Sequence, residues 1–283
     1  GVADTVGRPV AEALTRILGQ PVIVENKPGA AGNIAMAEVK RAAPDGYTLI
    51  LGHVGTLAVN PALFGAKLPY DPVKDFVAIS LIAKVPNVIA VSQRSGFKTL
   101  ADMVAAAKAK PGSINYGSAG NGSAGHLAAE MFKRDAGFFA VHIPYNGGNP
   151  AQLALLSGQV DFNFDNLATA APNIKAGKLK ALAVTTAQRS SALPDIPAMS
   201  ETLKGFEVDT WWGLVAPANT PPAVIARLHQ AFATALASPE TKTRFSLMMA
   251  EPVSSTPEQF AAFMKREYVK YEPVVKASGA RVD

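Results

Sequence analysis

A loop of small residues carries the strongest chemical signal in the sequence. The segment "NYGSAGNGSAGHLAAEMF", residues 115–132, reads as the end of a strand, a glycine-rich loop and the start of a helix. Its glycines at 120, 122 and 125 have the G-x-G-x-x-G spacing of dinucleotide-binding loops. Such a loop can hold a nucleotide, present a serine nucleophile or bind an anion without reacting with it.

The neighbouring residues argue against the first two interpretations. A dinucleotide site needs an acidic residue about 20 residues farther on for the ribose hydroxyls. The next predicted strand ends instead in residues 145–147, "YNG". A nucleophile elbow needs Gly-x-Ser-x-Gly, and neither Ser118 nor Ser123 lies in that pattern. A hydrolase using Ser123 and His126 remains an alternative, although no acid that would orient the histidine is evident. A P-loop is excluded, because no Gly-Lys-Ser/Thr follows the glycines.

Anion binding needs only features that this segment has. The N-terminus of a helix offers unpaired N–H groups and the positive end of the helix dipole. Small residues let an anion approach that backbone closely. Ser118, Asn121 and Ser123 add side-chain donors. Because a helix cap needs a single polar residue, these several donors favour anion binding over a capping role alone.

Other predicted loops after strands have the same composition. Ligands of open α/β sheets bind outside the carboxyl ends of the strands, so these loops are predicted to line a cleft. They are "GAAGN" (29–33), "VGT" (54–56), "YNGG" (145–148) and "FDNLAT" (164–169). Asp165 ends its strand and is the predicted cleft residue. Asp161 begins the same strand, about 13 Å away, which is too far for paired acid–base catalysis.

The histidines give no sign of a metal site or a catalytic site. His53, His126, His142 and His229 are far apart in sequence, and each is interpreted as a structural or surface residue. His126 and Glu130 lie one helical turn apart, but two ligands do not define a metal site. The sequence therefore predicts no metal, no cofactor and no enzymatic activity.

Strand and helix signals alternate along most of the chain, which predicts parallel sheets covered by helices. "PVIVEN" and "YTLILG" are predicted strands of the first half. The alternation breaks at "FVAISLIA" and "NVIAVS", where two strands follow each other with no room for a helix. We therefore predict two α/β lobes, each a mainly parallel sheet flanked by helices. Lobe 1 comprises residues 1–95 and 214–283, and lobe 2 comprises residues 96–213.

Composition narrows the class of protein further. The chain has 283 residues, is 48% hydrophobic and contains no cysteine, which excludes disulfides and fits an oxidising compartment. Its net charge of +5 comes from scattered basic residues, so nucleic-acid binding has little support. No apolar run approaches the roughly 18 residues of a membrane helix.

Four segments together resemble the Bug-type solute receptors of tripartite tricarboxylate transporters, over essentially the whole chain. They are "VENKPGAAGNIAMAEVKRAAPDGYTLILG", "NYGSAGNGSAGHLAAEMF", "HIPYNGGNPAQLALLSGQVDFNFDN" and "WWGLVAPANTPPAVIARL". The resemblance implies a periplasmic, two-lobed receptor with a hinge, similar to type II binding proteins. We expect the protein to be a monomer. Such a receptor closes on a small carboxylate and delivers it to a membrane permease. A ligand-sensing role in a signalling system is a further alternative.

The resemblance also implies which residues contact the ligand. At a ligand carboxylate it places Ser118, Asn121, Gly122, Ser123 and Ala124. On the opposing lobe it places Val54, Gly55 and Thr56. The wall of the second lobe is completed by Tyr145, Asn146, Gly147 and Asp165. The ligand itself is left open between an amino acid, a di- or tricarboxylate and an aromatic acid.

The start of the chain departs from the family pattern. The resemblance implies a strand and a Pro/Gly-rich loop before the first helix, and Gly1–Thr5 is interpreted as the tail of that loop. The strand and a signal peptide are therefore expected to have been removed or not included.

Overall fold

The computed structural model describes residues 2–282 and confirms the α/β class. Within this range the helices are α1 (Val2–Leu18), α2 (Asn33–Lys40), α3 (Asn60–Phe64), α4 (Leu100–Ala109), α5 (Ala124–Ala136), α6 (Gly148–Ser157), α7 (Leu167–Lys175), α8 (Pro222–Ala237), α9 (Pro239–Leu247) and α10 (Pro257–Ser278). The strands are β1 (Ile50–His53), β2 (Phe76–Val85), β3 (Asn87–Ser92), β4 (Asn115–Ser118), β5 (Val141–Pro144), β6 (Phe162–Asn166), β7 (Leu179–Val184), β8 (Thr210–Pro217) and β9 (Glu251–Pro252).

The chain forms two compact units. Unit 1 contains the residues up to Lys84 together with Trp211–Lys276, and unit 2 contains Val85–Thr210 and the segment from Ala277 onward. The first crossing between them lies where β2 is followed directly by β3, the pair of strands that breaks the alternation in the sequence. The functional lobes bounded at residues 95 and 213 stay a prediction.

Unit 2 holds a five-stranded sheet in the order β5-β4-β6-β3-β7. β4 pairs in parallel with both β5 and β6, whereas β3 runs antiparallel to β6 and β7. The carboxyl ends of β4, β5 and β6 therefore meet at one edge of the sheet. The loops that follow these three strands are neighbours at that edge.

Unit 1 holds a four-stranded sheet in the order β1-β8-β2-β9. The registers of β1 with β8 and of β2 with β9 are both antiparallel. Parallel pairing is found between β4, β5 and β6 of unit 2, whereas these two pairings of unit 1 are antiparallel. The reason is that β1 and β8 come from two distant chain segments and are not joined by a helical crossover.

Paired glycines shape the β1–β8 ladder. Gly52 lies opposite Gly213 in the register. A Cβ on Gly52 would lie 2.5 Å from a methyl carbon of Leu57, and one on Gly213 would overlap the ring of Phe260, with Cε1 only 2.7 Å away. The absence of these Cβ atoms lets the turn after β1 and helix α10 pack directly on the strands.

Two local predictions from the first half of the chain are wrong. "PVIVEN" is not a strand: residues 21–29 have no regular structure and pair with no strand among the described residues, and Ile23 is 77% exposed. A strand requires such a partner, whatever its β-propensity. Residues 2–5 are the first turn of α1 and not a loop, while Gly1 lies outside the described residues.

The residues of β6 alternate between apolar and polar side chains. Both faces of the strand are covered, because Phe162, Asn163, Phe164 and Asp165 are all buried. Asn163 is satisfied internally, because it accepts a bond from the Gly117 N–H at 2.9 Å and donates to the Ala151 carbonyl at 2.9 Å. The polar face of β6 is covered by α6.

Candidate functional site

The glycine-rich loop of unit 2 joins β4 to α5 at the carboxyl edge of the sheet. A turn from Gly120 to Ser123 is closed by the Ser123 N–H, which donates to the Gly120 carbonyl at 3.2 Å. Ser123 caps α5, because its hydroxyl oxygen accepts a bond from the His126 N–H at 3.3 Å. Capping and anion binding are compatible, since a capping hydroxyl still has its own proton to donate.

Several backbone donors of this loop are unpaired. Within residues 2–282, no acceptor contacts the N–H groups of Ala119, Asn121, Ala124 or Gly125. Ala124 and Gly125 begin α5, where N–H groups have no partner inside the helix and the dipole favours negative charge. The loop therefore presents donors suited to a carboxylate.

Gly122, by contrast, has its N–H engaged. It donates to Nδ1 of His126 at 3.0 Å, and the Gly120 N–H donates to the Ser118 hydroxyl at 3.2 Å. Ser118 is 2% exposed. The Ser118 hydroxyl and the Gly122 N–H thus make internal bonds that shape the loop, and the ligand contacts of these two residues stay a prediction.

The start of α5 packs closely on the end of β6. A Cβ on Gly125 would lie 2.5 Å from the backbone carbonyl oxygen of Phe164. No other residue fits this distance without moving backbone. The close approach brings the N-terminus of α5 beside the strand that ends with Asp165.

The loop after β5 lies beside the glycine-rich loop. The Tyr145 N–H donates to the Ser118 carbonyl at 3.0 Å, and the Gly147 N–H donates to the Ala119 carbonyl at 3.2 Å. Gly147 has φ of 109°, a conformation that favours glycine. Tyr145 is half-buried and Asn146 is exposed. Parallel pairing of β4 with β5 places the two loops together.

Asp165 is a buried acid at the same edge. It is 9% exposed, and its Oδ2 has no hydrogen-bond partner among the described residues. Burial raises the pKa of Asp165 to about 6, opposed by a hydrogen bond with Gln152. Burying the ionised carboxylate costs free energy when one of its oxygens has no hydrogen-bond partner, so burial favours the protonated form.

Unit 2 thus gathers the nine residues predicted for its part of the site at one sheet edge: Ser118, Asn121, Gly122, Ser123, Ala124, Tyr145, Asn146, Gly147 and Asp165.

In unit 1, Val54–Thr56 begin a wide helical turn, Gly55–Val59, that continues into α3. Val54 and Thr56 are buried and Gly55 is half-buried. The Thr56 hydroxyl accepts a bond from the His53 N–H at 3.1 Å, and the Thr56 carbonyl accepts one from the Tyr70 hydroxyl at 2.7 Å. The turn after β1 is therefore held at both ends.

The "GAAGN" loop packs against this turn. Ala30 and Ala31 have positive φ angles of 46° and 55°, which is strained backbone for residues with a Cβ. A Cβ on Gly32 would lie 2.6 Å from the Thr56 methyl carbon. Asn33 accepts a bond from Asn60 at 2.8 Å and anchors the end of the loop.

The structure brings together histidines that the sequence separates. The rings of His126 and His142 stack with centroids 3.9 Å apart and an interplanar angle of 9°. His142 Nε2 lies 2.6 Å from the Ser118 hydroxyl oxygen. Sequence reasoning missed this pair, because it arises from the register of Tyr116 opposite His142 in β4 and β5.

The hydrolase alternative gains no support from this geometry. The Ser123 hydroxyl contacts the backbone of His126, while Nδ1 of that ring is taken by Gly122.

Within the described residues, no group of three or more potential ligands is arranged to hold a metal ion. No helix in the same part of the chain combines the length and apolar character needed to cross a membrane.

One groove, of about 440 Å³, lies away from the loops described above. It is formed by the C-terminal ends of α4 and α5, before β4 and β5 begin, and is lined by residues such as Lys108, Lys133, Phe138 and Phe139. It therefore belongs to the opposite edge of the sheet.

Known proteins are similar to this chain over nearly its full length. The model of the tripartite tricarboxylate transporter family receptor, TctC, matches residues 6–280. Protein BugT of Bordetella pertussis is 34% identical over 284 residues, covering 100% of this chain and 87% of that protein. A UPF0065 protein from the TAR-I ttuE–ttuC' intergenic region of Agrobacterium vitis is 36% identical, covering 99% and 81%.

Solved structures agree with this assignment. A periplasmic transporter protein is 39% identical, with a TM-score of 0.83 and coverage of 100% of this chain and 95% of that one. Rpa4515 of R. palustris with adipate is 33% identical, with a TM-score of 0.84 and coverage of 99% and 94%. MatC of Rhodopseudomonas palustris with bound malate is 34% identical, with a TM-score of 0.80 and coverage of 96% and 94%.

The structure of the periplasmic binding protein BugD is 34% identical, with a TM-score of 0.81 and coverage of 99% and 94%. The matching family is one of solute receptors, and this chain shares the α/β fold of these structures. The chain therefore belongs to the receptor family of the tripartite tricarboxylate transporters, the family that includes the Bug proteins.

Proposed function

We propose that this receptor captures a small carboxylate outside the cytoplasm and delivers it to the permease of a tripartite transporter. The observation that supports this best is the group of unpaired N–H donors in the glycine-rich loop and at the start of α5: Ala119, Asn121, Ala124 and Gly125. Such donors bind an anion without any reacting group. The net charge of +5 adds a field that attracts anions.

The proposed ligand contacts are those predicted from the sequence: Val54, Gly55 and Thr56 in unit 1, and Ser118, Asn121, Gly122, Ser123, Ala124, Tyr145, Asn146, Gly147 and Asp165 in unit 2. Adipate and malate, bound by two relatives, are both dicarboxylates. Dicarboxylates are therefore the first candidates, followed by amino acids, tricarboxylates and aromatic acids. The protein is proposed to act as a monomer.

Calorimetric titration against a panel of carboxylates tests this function. The panel contains adipate, malate, aspartate, glutamate, citrate and nicotinate, with an uncharged diol as the control. We expect one class to bind and to stabilise the protein by roughly 2.7 kcal/mol at a hundred times its Kd. If no carboxylate binds and none raises the melting temperature, the proposal is wrong.

Ser123→Ala is expected to weaken the affinity for that ligand by about 1.5 kcal/mol, or roughly tenfold, because a charged group loses a hydrogen bond. The same substitution removes a helix cap, which costs about 1 kcal/mol of stability. Titration of the variant at pH 7.5 measures the first effect, and urea unfolding measures the second.

Ser238→Ala separates these two effects. Ser238 caps α9 by the same bond, accepting from the Thr241 N–H at 3.2 Å, and is remote in sequence from the ligand loops. It is expected to lose similar stability and no affinity. An equal Kd for Ser123→Ala and the wild type would reduce Ser123 to a capping role.

A further inference from the structure

His126 makes an unusual bond to the glycine-rich loop. Its Nδ1 accepts the backbone N–H of Gly122 at 3.0 Å, from one turn into α5. The ring is 2% exposed. A neutral imidazole has one acceptor nitrogen and one N–H, so this bond requires the proton to be on Nε2. Gly122 has φ of 77°, and its N–H is thereby turned toward the ring.

A second ring supports the first. His142 stacks on His126 and contacts the hydroxyl oxygen of Ser118, which in turn accepts the Gly120 N–H. Tyr116 also stacks on His142, with ring centroids 4.9 Å apart. The loop from Ser118 to Ser123 is therefore fastened at Gly120 and Gly122, while the N–H groups of Ala119 and Asn121 have no acceptor among the described residues.

The surroundings keep His126 neutral. Burial lowers the pKa of His126 to about 4, and the neighbouring His142 and Lys133 act in the same direction. Glu130 opposes them, with its Oε1 3.9 Å from His126 Nε2. Lys133 pairs with that same carboxylate oxygen at 2.8 Å. At neutral pH the ring therefore keeps its acceptor.

Unit 1 contains the same bond. His53 Nδ1 accepts the N–H of Gly55 at 2.9 Å. A Cβ on Gly55 would lie 2.5 Å from His53 Cε1, so a glycine is needed for the ring to come this close. Burial lowers the pKa of His53 to about 4 as well. Two loops in separate units are thus each held by a glycine N–H bonded to a histidine Nδ1.

We propose that His126 and His53 are positioning residues for ligand capture. Each accepts one glycine N–H at Nδ1 and so fixes the backbone of its loop. For His126 this sets the direction of the free N–H donors of the glycine-rich loop, and His142 supports His126. The proposal rests on the proposed function. It assigns these histidines no contact with the ligand.

The proton position is measured first, in the unmodified protein. Long-range ¹H–¹⁵N NMR of the histidine rings at pH 7.5 should show the Nε2–H tautomer for His126 and His53. The Nδ1–H tautomer at either ring would overturn the proposal for that ring. The tautomer measurement does not depend on ligand binding. It therefore still tests the bonds to Gly122 and Gly55 if no carboxylate of the panel binds and the proposed function is wrong.

Two substitutions then separate the acceptor from the ring. His126→Phe keeps an aromatic ring for stacking and removes the acceptor, and it is expected to weaken the affinity at least tenfold. His126→Asn places an amide oxygen near the position of Nδ1 and is expected to restore the affinity to within threefold of the wild type. The pair His53→Phe and His53→Asn should behave alike.

His229→Asn is the matched control. The Nε2 of His229 contacts the Ser255 carbonyl oxygen at 2.8 Å, away from both loops, so an unchanged affinity is expected. A wild-type affinity for His126→Phe, or an equal loss for His126→Phe and His126→Asn, would overturn the positioning role. If His126→Phe does not fold, the tautomer measurement and the affinity of His126→Asn still test the positioning role.

Discussion

Gly213→Ala is expected to lower the free energy of unfolding by about 3 kcal/mol, because its Cβ would overlap the buried ring of Phe260. Phe260 is 0% exposed and has no room to move. Its ring contacts Trp211 edge-on, with centroids 6.0 Å apart, and Phe263 lies 6.5 Å away. The new methyl group must therefore displace α10 or distort β8.

Urea unfolding followed by tryptophan fluorescence measures this effect. Both tryptophans, Trp211 and Trp212, lie in β8, so the signal reports on the affected sheet. Gly96→Ala is the control, since Gly96 is exposed and a Cβ there meets no atom within 4 Å. The control is expected to stay within about 0.5 kcal/mol of the wild type. A Gly213→Ala midpoint equal to that of the control would contradict the packing argument.

Asp165→Asn is expected to stabilise the protein at neutral pH. Burial raises the pKa of Asp165 from 3.8 to about 6, so the folded state binds more protons than the unfolded state between these values. The stability contribution of this group is therefore present below pH 3.8 and is lost as the pH rises through 6. The full loss corresponds to roughly 3 kcal/mol.

An amide resembles the protonated acid and does not titrate. The variant should therefore match the wild type near pH 4 and exceed its stability by up to about 3 kcal/mol at pH 7.5. Urea midpoints at both pH values measure the difference. Asp135→Asn, at an exposed ion pair with Arg134, serves as the control and should change stability by less than about 1 kcal/mol. A constant difference across pH would show that Asp165 titrates normally.

Local signals in the sequence identified the features that depend on a few neighbouring residues. Thr99 and Asp102 have the spacing of a capping box, as do Thr256 and Gln259, and both boxes form in the structure. In open α/β sheets, ligand loops follow the carboxyl ends of parallel strands. This rule predicted that the loops after β4, β5 and β6 lie together. These predictions need no knowledge of distant contacts.

Long-range contacts explain what the sequence did not predict. "PVIVEN" has the composition of a strand, but whether a strand forms depends on a partner elsewhere in the chain. The burial of both faces of β6 depends on α6, a separate segment that covers the polar side of the strand. The stacked pair of His126 and His142 depends on the register between two strands, and no spacing along the chain encodes it.

The pairing of β1 with β8 has a consequence for biosynthesis. His53 lies opposite Trp212, a separation of 159 residues. During translation β1 cannot pair with β8 until β8 has been synthesised. Nearly all of unit 2, Val85–Thr210, leaves the ribosome before then. Because loop closure over such a distance is slow, the inserted unit is expected to fold first and the enclosing one last. A nascent chain stopped before residue 210 would expose the unpaired edge of β1 to chaperones.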